Sequence, residues 1–104
     1  MSQTVLWIGL VEMKPLNRAA FGAAGAFTHI ITWASNVEGF RSQAEVIAAT
    51  LDMYVLDVED AEPLSERIEK RSLSQDLEEL AARAESNPNA ILFSTFHTYP
   101  FDTA

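Results

Sequence analysis

Seven residues near the N-terminus constrain this chain more than any others. In Val5-Leu6-Trp7-Ile8-Gly9-Leu10-Val11 both the odd and the even positions are apolar. Strand side chains alternate between two faces, so this segment presents apolar surface on both sides. Such a strand belongs in the middle of a sheet, covered above and below. Gly9, in mid-strand, predicts a bulge or a close neighbour above it. The run is far short of the ~20 apolar residues of a membrane-spanning helix. As a signal-peptide core it lacks a basic start, because the first basic residue, Lys14, follows it. The expectation is a strand over 4–13 in a cytoplasmic, bacterial-type protein that does not engage a membrane.

The remaining elements follow from periodicity. Residues 14–25 form a connector in which Asn17 is placed to cap a short helix over Arg18–Ala24, with Gly25 just past its end; a loop is the competing reading. Residues 26–34 read as a second strand, with Phe27, His29, Ile31 and Trp33 on one face. Ser35-Asn36-Val37-Glu38 has the spacing of a capping box. Val37, Phe40, Ala44, Ile47, Ala48 and Leu51 then make one apolar helical stripe. Residues 53–58 read as a third strand, so 26–58 predicts a strand–helix–strand unit with parallel strands. Glu59–Pro63 reads as an acidic turn, and Pro63 suits the start of a helix reaching Arg71. Ser74 caps the next helix, whose buried stripe is Leu77, Leu80, Ala81 and Ala84. A last strand is expected over 90–99, with a loose tail over 100–104.

At 104 residues the prior is a single domain. The element order predicts an α+β fold: a two-layer α/β sandwich with a four-stranded mixed sheet and two main helices on one face, ferredoxin-like in arrangement. Two helices on one face leave the other face of the central strand bare. Contiguous apolar surface of that kind marks an interface. The simplest cover is a second copy in a two-fold homodimer; the alternative is the 14–25 segment folding back over it.

Composition narrows the function classes. There is no Cys, which removes disulfides, thiolate metal sites and a thiol nucleophile. Seven basic against fifteen acidic residues give a net charge of −8, which argues against nucleic acid as a partner, since that binding rests on Lys and Arg. Asp57–Glu85 holds ten acids and four bases, so it carries −6 of that charge. Asp57, Glu59, Asp60 and Glu62 are a candidate surface for a basic partner; solubilising surface is the plainer reading. They lack the D-x-D-x-D-G pattern of a calcium loop.

His29 and His97 are the groups set to titrate near neutral pH. If their strands adjoin, they could meet Asp57 or Glu59 as a metal site or an acid–base pair, although ordinary strand histidines fit the pattern equally. No helical metal-ligand spacing is present, so no metal or other cofactor is expected. Lys14 and Arg18 flank the connector and could receive a small anion or a carboxylate. Gly22-Ala23-Ala24-Gly25 has neither the basic residues nor the context of a phosphate-binding loop. No Gly-x-Ser-x-Gly elbow occurs.

The sequence therefore favours a non-catalytic module that binds a protein or small ligand as a homodimer, for example an acidic inhibitor or immunity-type protein. The alternative is a small dimeric enzyme using His29, His97 and Asp57 in acid–base chemistry.

Overall fold

The central strand is where the sequence puts it. β1 (Val5–Pro15) pairs antiparallel with β2 (Gly25–Ala34) on one side and with β3 (Met53–Pro63) on the other. The computed structural model describes residues 3–100; the tail beyond Pro100 lies outside them. Between β1 and β2, α1 (Arg18–Phe21) is a single turn, with the Asn17 side chain accepting from the Ala20 amide. It ends at Gly22 in the left-handed conformation, so the helix is shorter than the Ala-rich sequence suggested, and Gly25 opens β2.

α2 (Val37–Thr50) follows, capped by Asn36, whose side chain accepts from the Gly39 amide. Ser35, the expected cap, lies one residue too early. α3 (Leu64–Lys70) and α4 (Gln75–Glu85) come after β3, and the Ser74 hydroxyl caps α4. Two short strands close the chain, β4 (Ile91–Phe93) and β5 (His97–Tyr99). Both pair with β2 on the edge away from β1. The expected single strand over 90–99 is broken at Ser94. There the Thr28 hydroxyl donates to the Ser94 carbonyl and the His29 amide to the Ser94 hydroxyl. These side-chain contacts replace ladder bonds and turn the chain.

The sheet is five-stranded, in the order β3-β1-β2-β4 with β5 also on β2, and every neighbouring pair is antiparallel. The expected mixed, four-stranded sheet is corrected on both counts. β2 and β3 do run the same way, but β1 lies between them.

The helices divide between the two faces. On one face α2 packs Phe40, Ala44 and Ala48 against Trp7, Val11, Met13 and Ile30. On the other, Leu64 of α3 and Ala81 and Ala84 of α4 pack against Leu6, Ile8 and Ile31. This corrects the expectation of two helices on one face. Its cause is the feature that opened the sequence: both faces of β1 are apolar, and each finds cover within the chain. Trp33 is fixed there too, its indole N–H donating to the carbonyls of Ala84 and Asn87.

β3 runs to Pro63, through what reads as an acidic turn. Two register shifts against β1 let it do so, between Ile8 and Leu10 and between Glu12 and Met13. At the first, Asp60 takes a positive φ of 53°, which Asp tolerates better than most residues. Gly9 faces this bulge, and the Phe40 ring lies directly over it: a Cβ there would come within 2.8 Å of the ring and 3.1 Å of the Ala61 Cα. The bulge and the close neighbour are both present. Among the described residues no helix is long and apolar enough to cross a membrane.

Candidate functional site

Three places collect the chemically useful side chains. The first is the outer edge of β3. This strand ends the sheet, with β1 its sole partner among the described residues. Asp57, Glu59 and Asp60 are exposed along it. Tyr54 and Leu56 beside them are each 46% exposed. Glu62 departs from the other acids. It accepts from the Arg67 Nε at 2.6 Å and from the Lys70 Nζ at 2.7 Å. Arg67 is buried and also donates to the Asp60 carbonyl at 2.8 Å. Hydrogen bonds from Lys70 and then Arg67 hold the Glu62 carboxyl below its usual range. Glu62 therefore belongs to a structural ion cluster that pins α3 to the end of β3 and is partly withdrawn from the acidic surface.

The second place is a cleft of about 410 Å³ between β2, β5 and the start of α4, lined by His29, Ser74, Asp76, Leu77, Ser94, Thr95 and His97. The two histidines do share a site, because β5 pairs with β2 and sets His97 opposite Phe27. Burial holds the His29 imidazole below its ordinary 6.5, and the positive charges of Arg67, His97 and Arg71 act the same way. Asp57 is not in this cleft; it sits on β3, beyond β1. Asp76 at the α4 start is the carboxylate that lines it. No imidazole–carboxylate hydrogen bond forms among the described residues, and no group of three His, Asp or Glu is arranged to hold a metal ion. A histidine without an oriented partner is a poor general base.

The third place is the corner where the chain leaves β5. Lys14, Arg18, Ala24, Tyr99 and Pro100 line a cleft of about 340 Å³, so Lys14 and Arg18 do come together. Tyr99 crosses over Gly25, where any Cβ would run into its hydroxyl, and donates to the Glu12 carboxylate at 2.5 Å. Its ring also packs on Phe27, 5.7 Å between centroids. Burial and the Glu12 hydrogen bond push the Tyr99 hydroxyl up to about 12. This carboxylate–phenol contact, spanning 87 positions, carries no local sequence signal. A separate apolar cleft of about 470 Å³ opens between α3 and the ends of β1 and β2, lined by Val5, Leu6, Trp33, Leu64 and Ile68 among others.

No protein-family model, no curated protein and no solved structure matches this chain.

Proposed function

We propose that this protein is a non-catalytic binding module whose partner surface is the acidic edge of β3, presented to a basic protein. One observation carries the reading: Asp57, Glu59 and Asp60 stand exposed on a terminal strand of the sheet beside exposed Tyr54 and Leu56. Solubilising charge needs no apolar companions, whereas interfaces combine the two. An inhibitor or immunity-type protein that masks a basic enzyme is the concrete form. The inserted position of β1 between β2 and β3 supports describing the domain as a relative of the ferredoxin-like sandwich in which α3 and α4 have moved to the opposite face.

The test uses a fluorescent peptide of alternating lysine and valine, titrated with the protein. Raising the ionic strength from about 0.01 M to about 0.15 M shortens the screening length from about 30 Å to about 8 Å. Affinity should fall steeply over that range and should vanish in Asp57→Asn/Glu59→Gln/Asp60→Asn, a variant in which Asn keeps the left-handed position at 60. Salt-independent binding, or binding unchanged in the variant, refutes the reading.

The homodimer keeps one foothold. α3 and α4 cover part of the face assigned to a second copy, and half-buried Leu10 and Phe27 remain on it. Light scattering at high concentration decides between dimer and monomer. The enzyme reading is favoured by the shared cleft of His29 and His97. It requires the two imidazoles to titrate as a coupled pair by NMR; independent titration excludes it.

A further inference from the structure

The way β3 meets β1 decides which of its backbone groups are free. The His29 carbonyl accepts from the Ser94 amide, and the His29 amide donates to the Ser94 hydroxyl. His29 thus points away from β1, so its pairing with Leu10 is a non-hydrogen-bonded one. Alternation then turns Leu10 toward β3, where it meets Glu59. The residue before Glu59, Val58, faces outward. The observed contacts agree: the Val58 amide is held by the carboxylate of its neighbour Asp57 at 2.9 Å. Across the bulge at Leu56, Val55 faces Met13 in the same non-bonded manner. Among the described residues, the outer edge of β3 therefore presents the main-chain groups of Val55 and the Val58 carbonyl, with the Val58 amide held by Asp57. This open stretch ends before Asp60, whose carbonyl is occupied by Arg67.

The geometry points to strand addition: a basic, extended segment of the partner pairs with the outer edge of β3 between Tyr54 and Glu59. This rests on the reading of β3 as the partner surface and says how the partner is held. Strand addition draws affinity from main-chain hydrogen bonds and specificity from alternate side chains. A second copy of this chain does not fit, since two β3 edges would set Asp57 and Glu59 against acids like themselves. A segment alternating Lys or Arg with apolar residues does fit. Its cations meet Asp57 and Glu59 on the face those acids share with Tyr54, and its apolar side chains fall on the opposite face beside Val55 and Val58. A cation drawing off the Asp57 carboxylate also frees the Val58 amide for a partner carbonyl.

The test compares two capped peptides of the same alternating lysine–valine sequence and charge, one ordinary and one with every backbone amide N-methylated. Strand addition predicts that N-methylation weakens binding tenfold or more. It also predicts that the ordinary peptide slows hydrogen exchange at the Val55 and Val58 amides. Equal binding of both peptides, with no added protection at Val58, overturns strand addition and leaves the acidic surface standing. Binding of neither peptide removes both.

Discussion

Placing a methyl group on Gly9 tests how the central strand is packed. The Cβ of Gly9→Ala would lie 2.8 Å from two carbons of the Phe40 ring, whereas carbon pairs rest at about 3.5–4.0 Å. The ring must therefore retreat by about 0.8 Å. It has little room, because Phe40 is fully buried and the Ala61 backbone lies 3.1 Å from the same Cβ. Overpacking of this kind costs about 1–3 kcal/mol. For a domain of this size each kcal/mol lowers Tm by roughly 4–8 °C, which thermal denaturation resolves easily. Phe40→Leu removes the ring edge that the methyl meets. On its own it should destabilise by less than the ~3–5 kcal/mol of a Phe→Ala change. Combined with Gly9→Ala it should cost less than the sum of the two, with a coupling of about 1 kcal/mol or more. A Gly9→Ala variant as stable as the parent, or strict additivity in the cycle, would show that the ring does not lie over Gly9 as described.

Four other outcomes follow from the same structure. Arg67→Ala removes the donor to Glu62 and to the Asp60 carbonyl and should cost about 2–4 kcal/mol in urea denaturation, with Arg67→Met/Glu62→Leu recovering much of it; equal stability of parent and Arg67→Ala would contradict a buried cluster. His29 is held below 6.5, so the unfolded chain takes a proton before the folded one does. The His29 contribution should be flat above about pH 7 and fall as pH drops below 6.5, a loss that His29→Gln should lessen. Tyr99, raised to about 12, contributes stability below pH 10 that is lost as pH climbs from 10 toward 12, and Tyr99→Phe should flatten that alkaline limb. Among the described residues the buried Trp7 indole N–H has no hydrogen-bond partner; Trp7→Phe trades lost ring volume for relief of an unmet donor costing about 1–3 kcal/mol, so its stability change should be small.

The helices were legible because each announces itself locally. Ser74 and the acids after it start α4, and the stripe from Phe40 to Ala48 is unmistakable at a period of 3.6. β1 was legible because seven residues in a row without a polar side chain leave few alternatives. What stayed hidden depends on contacts distant in sequence. The extension of β3 through Glu59–Pro63 is sustained by bulges against β1, and an isolated acidic segment with a proline gives no sign of them. The split of β4 from β5 depends on Thr28 and Ser94, 66 positions apart. The two apolar faces of β1 demand cover on both sides without disclosing that helices supply it on each. The short, weakly apolar α3 gave little sign that it would cover anything, since Leu64 is its one buried aliphatic residue. Of the candidate site residues, His29 and His97 line one cleft and Lys14 and Arg18 another. Asp57 went to the far edge of the sheet, and Glu62 was claimed by Arg67 and Lys70. The pairing of strands makes those assignments, and a single sequence does not disclose it.

If the acidic edge of β3 is where this protein meets its partner, that edge must respond when a basic strand binds. Amide chemical-shift mapping during titration with the lysine–valine peptide tests it most directly. The largest changes should fall at Tyr54 through Asp60, with the His29–His97 cleft and the Lys14–Arg18 corner unmoved. Changes centred on either of those two places, or no change along β3 at low salt, would contradict it.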